Sequence, residues 1–203
     1  MVTFLENEVS SSVQFLFAHG AGAPMDSPFM ERVAGGVAEK GIAVARFEFP
    51  YMAARRQGQR KPPDRPAVLL DYWRQAVAER RDKRRIFIGG KSMGGRIATL
   101  VADELKADGA VCFGYPFHPP GKPETLRVAH LAAMTTPTLI VQGVRDALGN
   151  QQQVGSYELS PKIEIVWIQD GDHSLKPRKS SGRTEAENLA EAISAAAAFM
   201  LKR

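Results

Sequence analysis

The sequence is nearly free of cysteine and contains no long apolar run. Cys112, in GAVCFGY, is the only cysteine among 203 residues, so no disulfide can form within the chain. No apolar run approaches the roughly 18 residues that a membrane-spanning helix needs. The first residues, MVTFLENEVSSS, have no basic stretch followed by an apolar one, so no signal peptide is expected. These absences predict a soluble, cytoplasmic protein that does not associate with membranes.

Acidic residues are fewer than basic ones, and the formal net charge is +5. No aromatic residues interleave the basic ones and no recognition motif accompanies them, which argues against nucleic-acid binding. Solvated surface is the favoured interpretation of the basic residues, and attraction to an anionic substrate or partner is the alternative. They form two clusters, Arg55, Arg56, Arg60, Lys61 and Arg65, and Arg80, Arg81, Lys83, Arg84 and Arg85.

The length predicts one domain, residues 1–203, because the chain can bury a full core but is too short for two comfortable domains. Apolar segments alternate with helical ones, which predicts an α/β fold with a mostly parallel sheet covered by helices on both faces. The basic, proline-rich segment 51–66 is predicted to be a loop. Predicted strands are 13–18, 42–49, 85–90, 109–116, 138–143 and 162–169. Predicted helices are 28–40, one from Asp64 or Pro66 through Val77, 93–105, 126–134, a short one ending within 156–160, and one from residue 185.

One serine lies within a concentration of glycine. The segment from Gly90 to Gly94, GKSMG, matches G-x-S-x-G and lies directly between a predicted strand and a predicted helix, the context that a nucleophile elbow requires. In so tight a turn, larger flanking side chains would collide, and the helix directs its first amide groups to the same place. The string alone also suits a structural turn, but in this context it predicts that Ser92 is a nucleophile.

A base and an acid follow the serine along the chain, in the order Ser, Asp, His that this architecture uses. His173, in QDGDHSLKP, comes just after strand 162–169, and Asp146, in VQGVRDALG, just after strand 138–143. Parallel strands end at one edge of a sheet, so we expect these side chains to converge on Ser92. Asp170 and Asp172 are alternative acids, although turn formation suits them better. The other histidines are His19, which precedes the serine and so fails the order, and His118 and His130, for which structural roles are favoured.

A glycine-rich segment after the first predicted strand suggests an oxyanion hole. Small residues in HGAGA, from position 19, let backbone N–H groups approach a substrate oxygen closely. The expected donors are the N–H groups of Ala21 and of Met93, the residue after the nucleophile. A plain glycine-rich turn is the alternative interpretation.

With these motifs, the chain resembles the α/β-hydrolase superfamily over nearly its whole length. The closer resemblance is to the small cap-less branch near dienelactone hydrolase, and especially to testis-expressed and KANSL-type hydrolase-like proteins. It implies a minimal α/β-hydrolase fold with nucleophile Ser92, acid Asp146, base His173 and amide donors at Ala21 and Met93. The segments that carry it are FAHGAGAPMDSPFM, FEFPYMAARRQGQRKPPDRP, GGKSMGGRIA, GYPFHPPGKPE, VQGVRDALG and GDHSL.

The chain also departs from these relatives. Dienelactone hydrolase itself uses cysteine, so Ser92 argues against that substrate. Only twelve residues precede strand 13–18, so the first one or two strands of the full fold are expected to be missing or shortened. No insertion is long enough for a lid domain, since residues 117–136 are the only long connection on the active-site side.

Together these features predict a serine hydrolase that cleaves small ester or related acyl substrates, with no cofactor and no metal. The alternatives are a non-catalytic interaction module, because some relatives act as complex subunits, and an acyltransferase or perhydrolase using the same site. The acyl and leaving groups and the oligomeric state stay open. Further residues expected near the substrate are Gly22, Arg55, Arg56, Tyr115 and His118, and Arg60 is a further candidate for holding an anionic substrate.

Overall fold

The computed structural model describes residues 1–202 and contains one seven-stranded sheet. Its strand order is β1-β3-β2-β4-β5-β6-β7, and every neighbouring pair is parallel except the antiparallel pair of β1 and β3. The strands are β1 (Phe4–Asn7), β2 (Val13–Ala18), β3 (Ala43–Phe47), β4 (Arg85–Lys91), β5 (Gly109–Phe113), β6 (Thr138–Gly143) and β7 (Ile163–Ile168).

Helices cover both faces of this sheet, as the sequence predicted. Trp73 of α3 and Ile97 of α4 pack into a core on one face, while Val33 of α1 and Leu189 of α7 pack into a second core on the other face. The central strands are therefore buried along their whole length. The helices are α1 (Pro28–Glu39), α2 (Pro50–Arg56), α3 (Pro66–Arg80), α4 (Met93–Val101), α5 (Ala129–Ala132), α6 (Gln151–Val154) and α7 (Glu185–Lys202).

The sequence predictions for two elements were wrong. The first part of the expected loop 51–66 is helix α2, which begins at Pro50 and buries Tyr51 and Met52. Seven residues are too few to display a helical period, so tertiary burial decides this helix. The short helix expected to end within 156–160 is α6, which ends earlier. The N-terminal region carries one four-residue strand, β1, at the sheet edge, in line with the expected shortening.

The parallel register places the carboxyl ends of the central strands at one edge of the sheet. Ala18 of β2 lies opposite Gly90 of β4, and Gly143 of β6 lies opposite Ile168 of β7. The segments that follow these strands carry the glycine-rich loop, Ser92, Asp146 and His173. The fold therefore brings all four features to the same edge.

A half-buried histidine beside α4 is expected to make stability depend on pH. Burial, aided by nearby Arg96, lowers the pKa of His130 to about 4, and its Nε2 lies 2.9 Å from Thr99 Oγ1. Between about pH 6.5 and 4 the unfolded chain therefore binds a proton that the folded protein does not, and stability falls as the pH falls. We expect His130→Asn to reduce this loss by about 1 kcal/mol, allowing for solvent screening. Urea unfolding of both proteins at pH 7.5 and 5 measures it, and identical losses would contradict it.

Candidate active site

Ser92 lies in a strained turn between β4 and α4. Its backbone angles, φ 52° and ψ −116°, are outside the helical and extended regions that non-glycine residues prefer. The strand ends at Lys91 and the helix begins at Met93, so the serine is the only residue in the turn. A side chain on Gly90 would collide with the Ala18 carbonyl oxygen, which explains one glycine of the motif.

The side chains of Ser92, His173 and Asp146 form a continuous hydrogen-bonded chain. Ser92 Oγ lies 2.8 Å from His173 Nε2, and His173 Nδ1 lies 2.8 Å from Asp146 Oδ2. A carboxylate only accepts hydrogen bonds, so the proton of a neutral imidazole lies on Nδ1 and the Nε2 lone pair faces the serine hydroxyl. This arrangement can take a proton from Ser92.

Asp146 is held in place by two further hydrogen bonds. Its carboxylate is 0% exposed, and Oδ1 accepts from the Leu148 backbone N–H at 2.8 Å. Oδ2 accepts from Gln142 Nε2 at 2.9 Å in addition to the imidazole. Gln142 was missed by sequence reasoning, although a polar residue within the buried strand TLIVQG is a signal that identifies it.

The loop that carries His173 is fixed by its own backbone. Asp172 Oδ1 accepts from the N–H groups of Ser174 and Lys176, at 2.8 and 3.0 Å. Gly143, at the end of β6, lets this loop approach, because a Cβ there would collide with the Asp172 carbonyl oxygen. Asp170, the other alternative acid, is paired with Arg145 and Arg178 instead. Only Asp146 reaches the imidazole.

The glycine-rich loop is held by the buried side chains of His19 and Tyr51, and the Ala21 N–H points away from them. The carbonyl of Gly20 accepts hydrogen bonds from His19 Nδ1 at 2.6 Å and from the Tyr51 hydroxyl at 3.2 Å. The peptide is trans, so the Ala21 N–H, which belongs to the same plane, points away from these two side chains. Within residues 1–202 this N–H makes no hydrogen bond. It is available to a ligand.

His19 and Tyr51 are anchors that sequence reasoning missed. Phe49 donates its N–H to His19 Nε2 at 3.1 Å, which leaves the proton on Nδ1. Burial lowers the pKa of His19 and favours this neutral form. The chain order excluded His19 as a base, but a polar residue directly after a buried strand already marks it as a residue with a partner.

The N–H of Met93 is the other expected donor. Met93 is the first residue of α4, and the first N–H groups of a helix have no acceptor within that helix. It follows Ser92 directly. Its N–H is therefore available to an oxygen of a ligand bound beside Ser92.

An open cleft of about 330 Å³ lies over the serine. Its walls combine the glycine-rich loop, the start of α1 and the His173 loop, so Gly22 lies where it was expected. The residues that line it are Gly20, Ala21, Gly22, Ala23, Ser27, Phe29, Met30, Lys91, Ser92, His173 and Ser174.

The structure corrects the expectations for Tyr115, His118 and Arg56, none of which lines this cleft. Tyr115 is 0% exposed and donates its hydroxyl to the Arg127 carbonyl at 3.1 Å. His118 is also buried. Arg56 pairs with Glu48 at 2.7 Å and Asp26 at 2.6 Å, so its charge is already balanced.

The other basic candidates lie beside the glycine-rich loop. Arg55 Nη1 donates to the Ala21 carbonyl at 3.3 Å, and its guanidinium lies over the Tyr51 ring. Arg55 and Arg60 line a separate surface hollow. A substrate contact for either residue stays a prediction.

Residues 1–202 form neither a metal-binding cluster nor a membrane-spanning helix. No group of three or more His, Cys, Asp or Glu side chains in this range is placed to hold a metal ion. None of the helices formed by these residues combines the length and apolarity needed to cross a lipid bilayer.

The strand order, the two helical layers and a serine turn at the carboxyl edge define an α/β-hydrolase fold without a lid. A family model described as an alpha/beta hydrolase domain matches residues 11–201, and the chain belongs to that family. This agrees with the resemblance found in the sequence.

Solved structures share the fold at low sequence identity. Est1E from Butyrivibrio proteoclasticus, with ferulic acid bound, matches with a TM-score of 0.74 at 15% identity, covering 100% of this chain and 96% of that one. Dienelactone hydrolase from Anabaena variabilis matches with a TM-score of 0.74 at 19% identity, over 100% and 97%. An α/β serine hydrolase without a lid from Xanthomonas campestris matches with a TM-score of 0.69 at 19% identity, over 100% and 87%.

Proposed function

We propose that this protein is a serine hydrolase that cleaves small esters or related acyl compounds through an acyl-enzyme on Ser92. The observation that carries the proposal is the chain of two 2.8 Å contacts joining Ser92, His173 and Asp146 at the wall of an open cleft. The proposal is in line with the alpha/beta hydrolase family of the chain.

The reaction begins when Ser92 Oγ attacks the acyl carbon and its proton passes to His173 Nε2. Asp146 holds the imidazole in the required tautomer and stabilises its positive form. The oxyanion accepts hydrogen bonds from the N–H groups of Ala21 and Met93, each typically worth about 2.7–4 kcal/mol in the transition state. The imidazolium then gives the proton to the leaving oxygen as the bond from the acyl carbon to that oxygen breaks.

Water completes the cycle. His173 Nε2 takes a proton from the water as its oxygen attacks the acyl-enzyme, and Ser92 regains its proton when the acid leaves. The cleft is open, so an alcohol or peroxide is equally able to reach the acyl group. Analysis of the products formed with added alcohol or peroxide separates hydrolysis from acyl transfer and perhydrolysis.

A fluorophosphonate probe tests the nucleophile directly. We expect stoichiometric labelling of Ser92, because the probe reacts with a serine whose proton can pass to a neighbouring base. Intact-protein and peptide mass spectrometry locate the adduct. Ser92→Ala should not be labelled, while Ser174→Ala, which changes a neighbouring hydroxyl in the same cleft, should label normally.

Folded protein that stays unlabelled at Ser92 would refute the serine-hydrolase proposal. Combined with a stable partner in pull-down experiments, that outcome would favour the non-catalytic interaction module. Circular dichroism on the same samples establishes that the protein is folded.

A further inference from the structure

Lys91 lines the cleft immediately before the nucleophile. Its Nζ donates a hydrogen bond to the backbone carbonyl of His173 at 2.6 Å. The ammonium also lies 5.6 Å from the centre of the Phe29 ring, on the wall formed by α1. The side chain thus links the serine turn to the histidine loop, and residues of both segments line the cleft.

This cation has no counter-ion in the part of the chain that the structure describes. Within residues 1–202, no carboxylate lies within 4.0 Å of Lys91 Nζ, and two of its three N–H groups have no acceptor. Asp146 and Asp172 are the acidic groups that act on it. Both are engaged elsewhere, Asp146 with His173 and Asp172 with the backbone of its own loop.

The hydrogen bond that Lys91 donates to the His173 loop does not by itself explain why a charged side chain occupies this position. Removing an ammonium from water is costly unless it is paired, and a single carbonyl is a weak partner for a full charge. Phe29 and Met30, which line the α1 wall of the same cleft, carry no side-chain hydrogen-bond acceptor of oxygen or nitrogen. An anionic group of the bound substrate would complete both the charge pairing and the hydrogen bonds.

We propose that the Lys91 ammonium binds a carboxylate carried by the substrate, so that the enzyme prefers esters bearing a negative charge close to the scissile bond. This inference rests on the proposed serine-hydrolase function and names its substrate class. In this proposal Lys91 takes the place of Arg56 as the residue that attracts an anion, because the charge of Arg56 is already balanced by two carboxylates.

Two matched pairs of esters test the proposal. The p-nitrophenyl monoester of adipic acid is compared with its terminal carboxamide, and 4-acetoxybenzoate with 4-acetoxybenzamide. The members of each pair differ in charge but hardly in size, and the two pairs place the anion in the acyl or in the leaving group. We expect the wild-type enzyme to have an about tenfold higher kcat/KM for the charged member of at least one pair. This is the size of effect expected when one hydrogen bond to a charged group is gained.

Lys91→Met should reduce this preference to about onefold. The variant also loses the bond to the His173 carbonyl, which lowers kcat for both members of a pair alike and cancels in the ratio. Lys162→Met is the matched control, because it removes an exposed lysine at the start of β7, at the opposite edge of the sheet. The control should retain the wild-type preference.

The preference should also depend on pH. Burial lowers the pKa of Lys91 to about 8, so the ammonium prevails below that pH and the preference is lost above it. The other titratable groups facing Lys91 are His173, Asp146 and Asp172, while α1 and the glycine-rich loop present only uncharged residues.

The two proposals fail in different ways. Absent fluorophosphonate labelling and absent turnover would refute the serine hydrolase. A labelled, active enzyme with equal kcat/KM in both pairs, or a preference that Lys91→Met retains, would overturn the anion site. Titration calorimetry of monomethyl adipate with Ser92→Ala, compared with the Ser92→Ala, Lys91→Met double variant, measures anion binding without turnover. We expect the double variant to bind about tenfold more weakly, and equal affinities would also overturn the proposal.

Discussion

Replacing Asp146 by Asn is expected to lower kcat for ester hydrolysis by about 10⁴-fold, although the side chain keeps its size. With its oxygen at the Oδ1 position the new amide keeps the bond from the Leu148 N–H, although Gln142 Nε2 then faces a second donor in place of Oδ2. The amide nitrogen then occupies the place of Oδ2, facing His173 Nδ1. As a donor, it forces the imidazole proton onto Nε2. The imidazole then presents an N–H to the serine and no longer acts as its base.

A neighbouring acid provides the control for this experiment. Asp172→Asn retains an oxygen that accepts from Ser174 and Lys176, so the His173 loop keeps its shape. We expect it to change kcat by less than about tenfold. Steady-state kinetics with p-nitrophenyl acetate compare the two variants. Similar losses in both would mean that Asp146 does not set the imidazole tautomer.

Gly94→Ala is expected to destabilise the fold by about 2–4 kcal/mol, which is large for the addition of one methyl group. A Cβ on Gly94 would lie 2.5 Å from the His19 carbonyl oxygen and 2.6 Å from that of Ala18. Both atoms belong to the backbone at the end of β2, which cannot yield by changing a rotamer. Either the start of α4 or the glycine-rich loop must move, so the variant should also lose activity.

A glycine in another helix gives the matched control. A Cβ on Gly35, in α1, would meet nothing within 4 Å. Gly35→Ala should therefore stabilise the protein by about 0.5–1 kcal/mol, through the helix propensity of alanine. Urea unfolding measures both variants. If Gly94→Ala were as stable as wild type, the proposed steric reason for glycine in the serine motif would be wrong.

The sequence predicted more of the fold than of the cleft. Long apolar strands and amphipathic helices show their period directly, so the strand and helix order followed from pattern alone. Helix α2 did not, because its seven residues bury only Tyr51 and Met52. Strand β1 did not either, because four residues at a sheet edge, none of them buried, resemble a polar terminus.

The candidate site was predicted in outline, because its chain order and strand-end positions are visible in the sequence. Ser92, Asp146 and His173 were chosen on that basis, and the structure brings them within hydrogen-bond distance. Tyr115 and His118 had no such constraint, and their side chains turn into the interior. Arg56 looked available only because its partners Glu48 and Asp26 lie outside its own segment.

The sequence by itself determined the layered α/β architecture and the identity of the serine turn, because both depend on local periodicity and on the steric demands of neighbouring residues. Only the tertiary structure decided which side chains share the cleft. The unpaired charge of Lys91, the anchoring of Gly20 by His19 and Tyr51, and the burial of Tyr115 depend on contacts between segments far apart in the chain. Burial and charge pairing are properties of those contacts, and no local pattern encodes them.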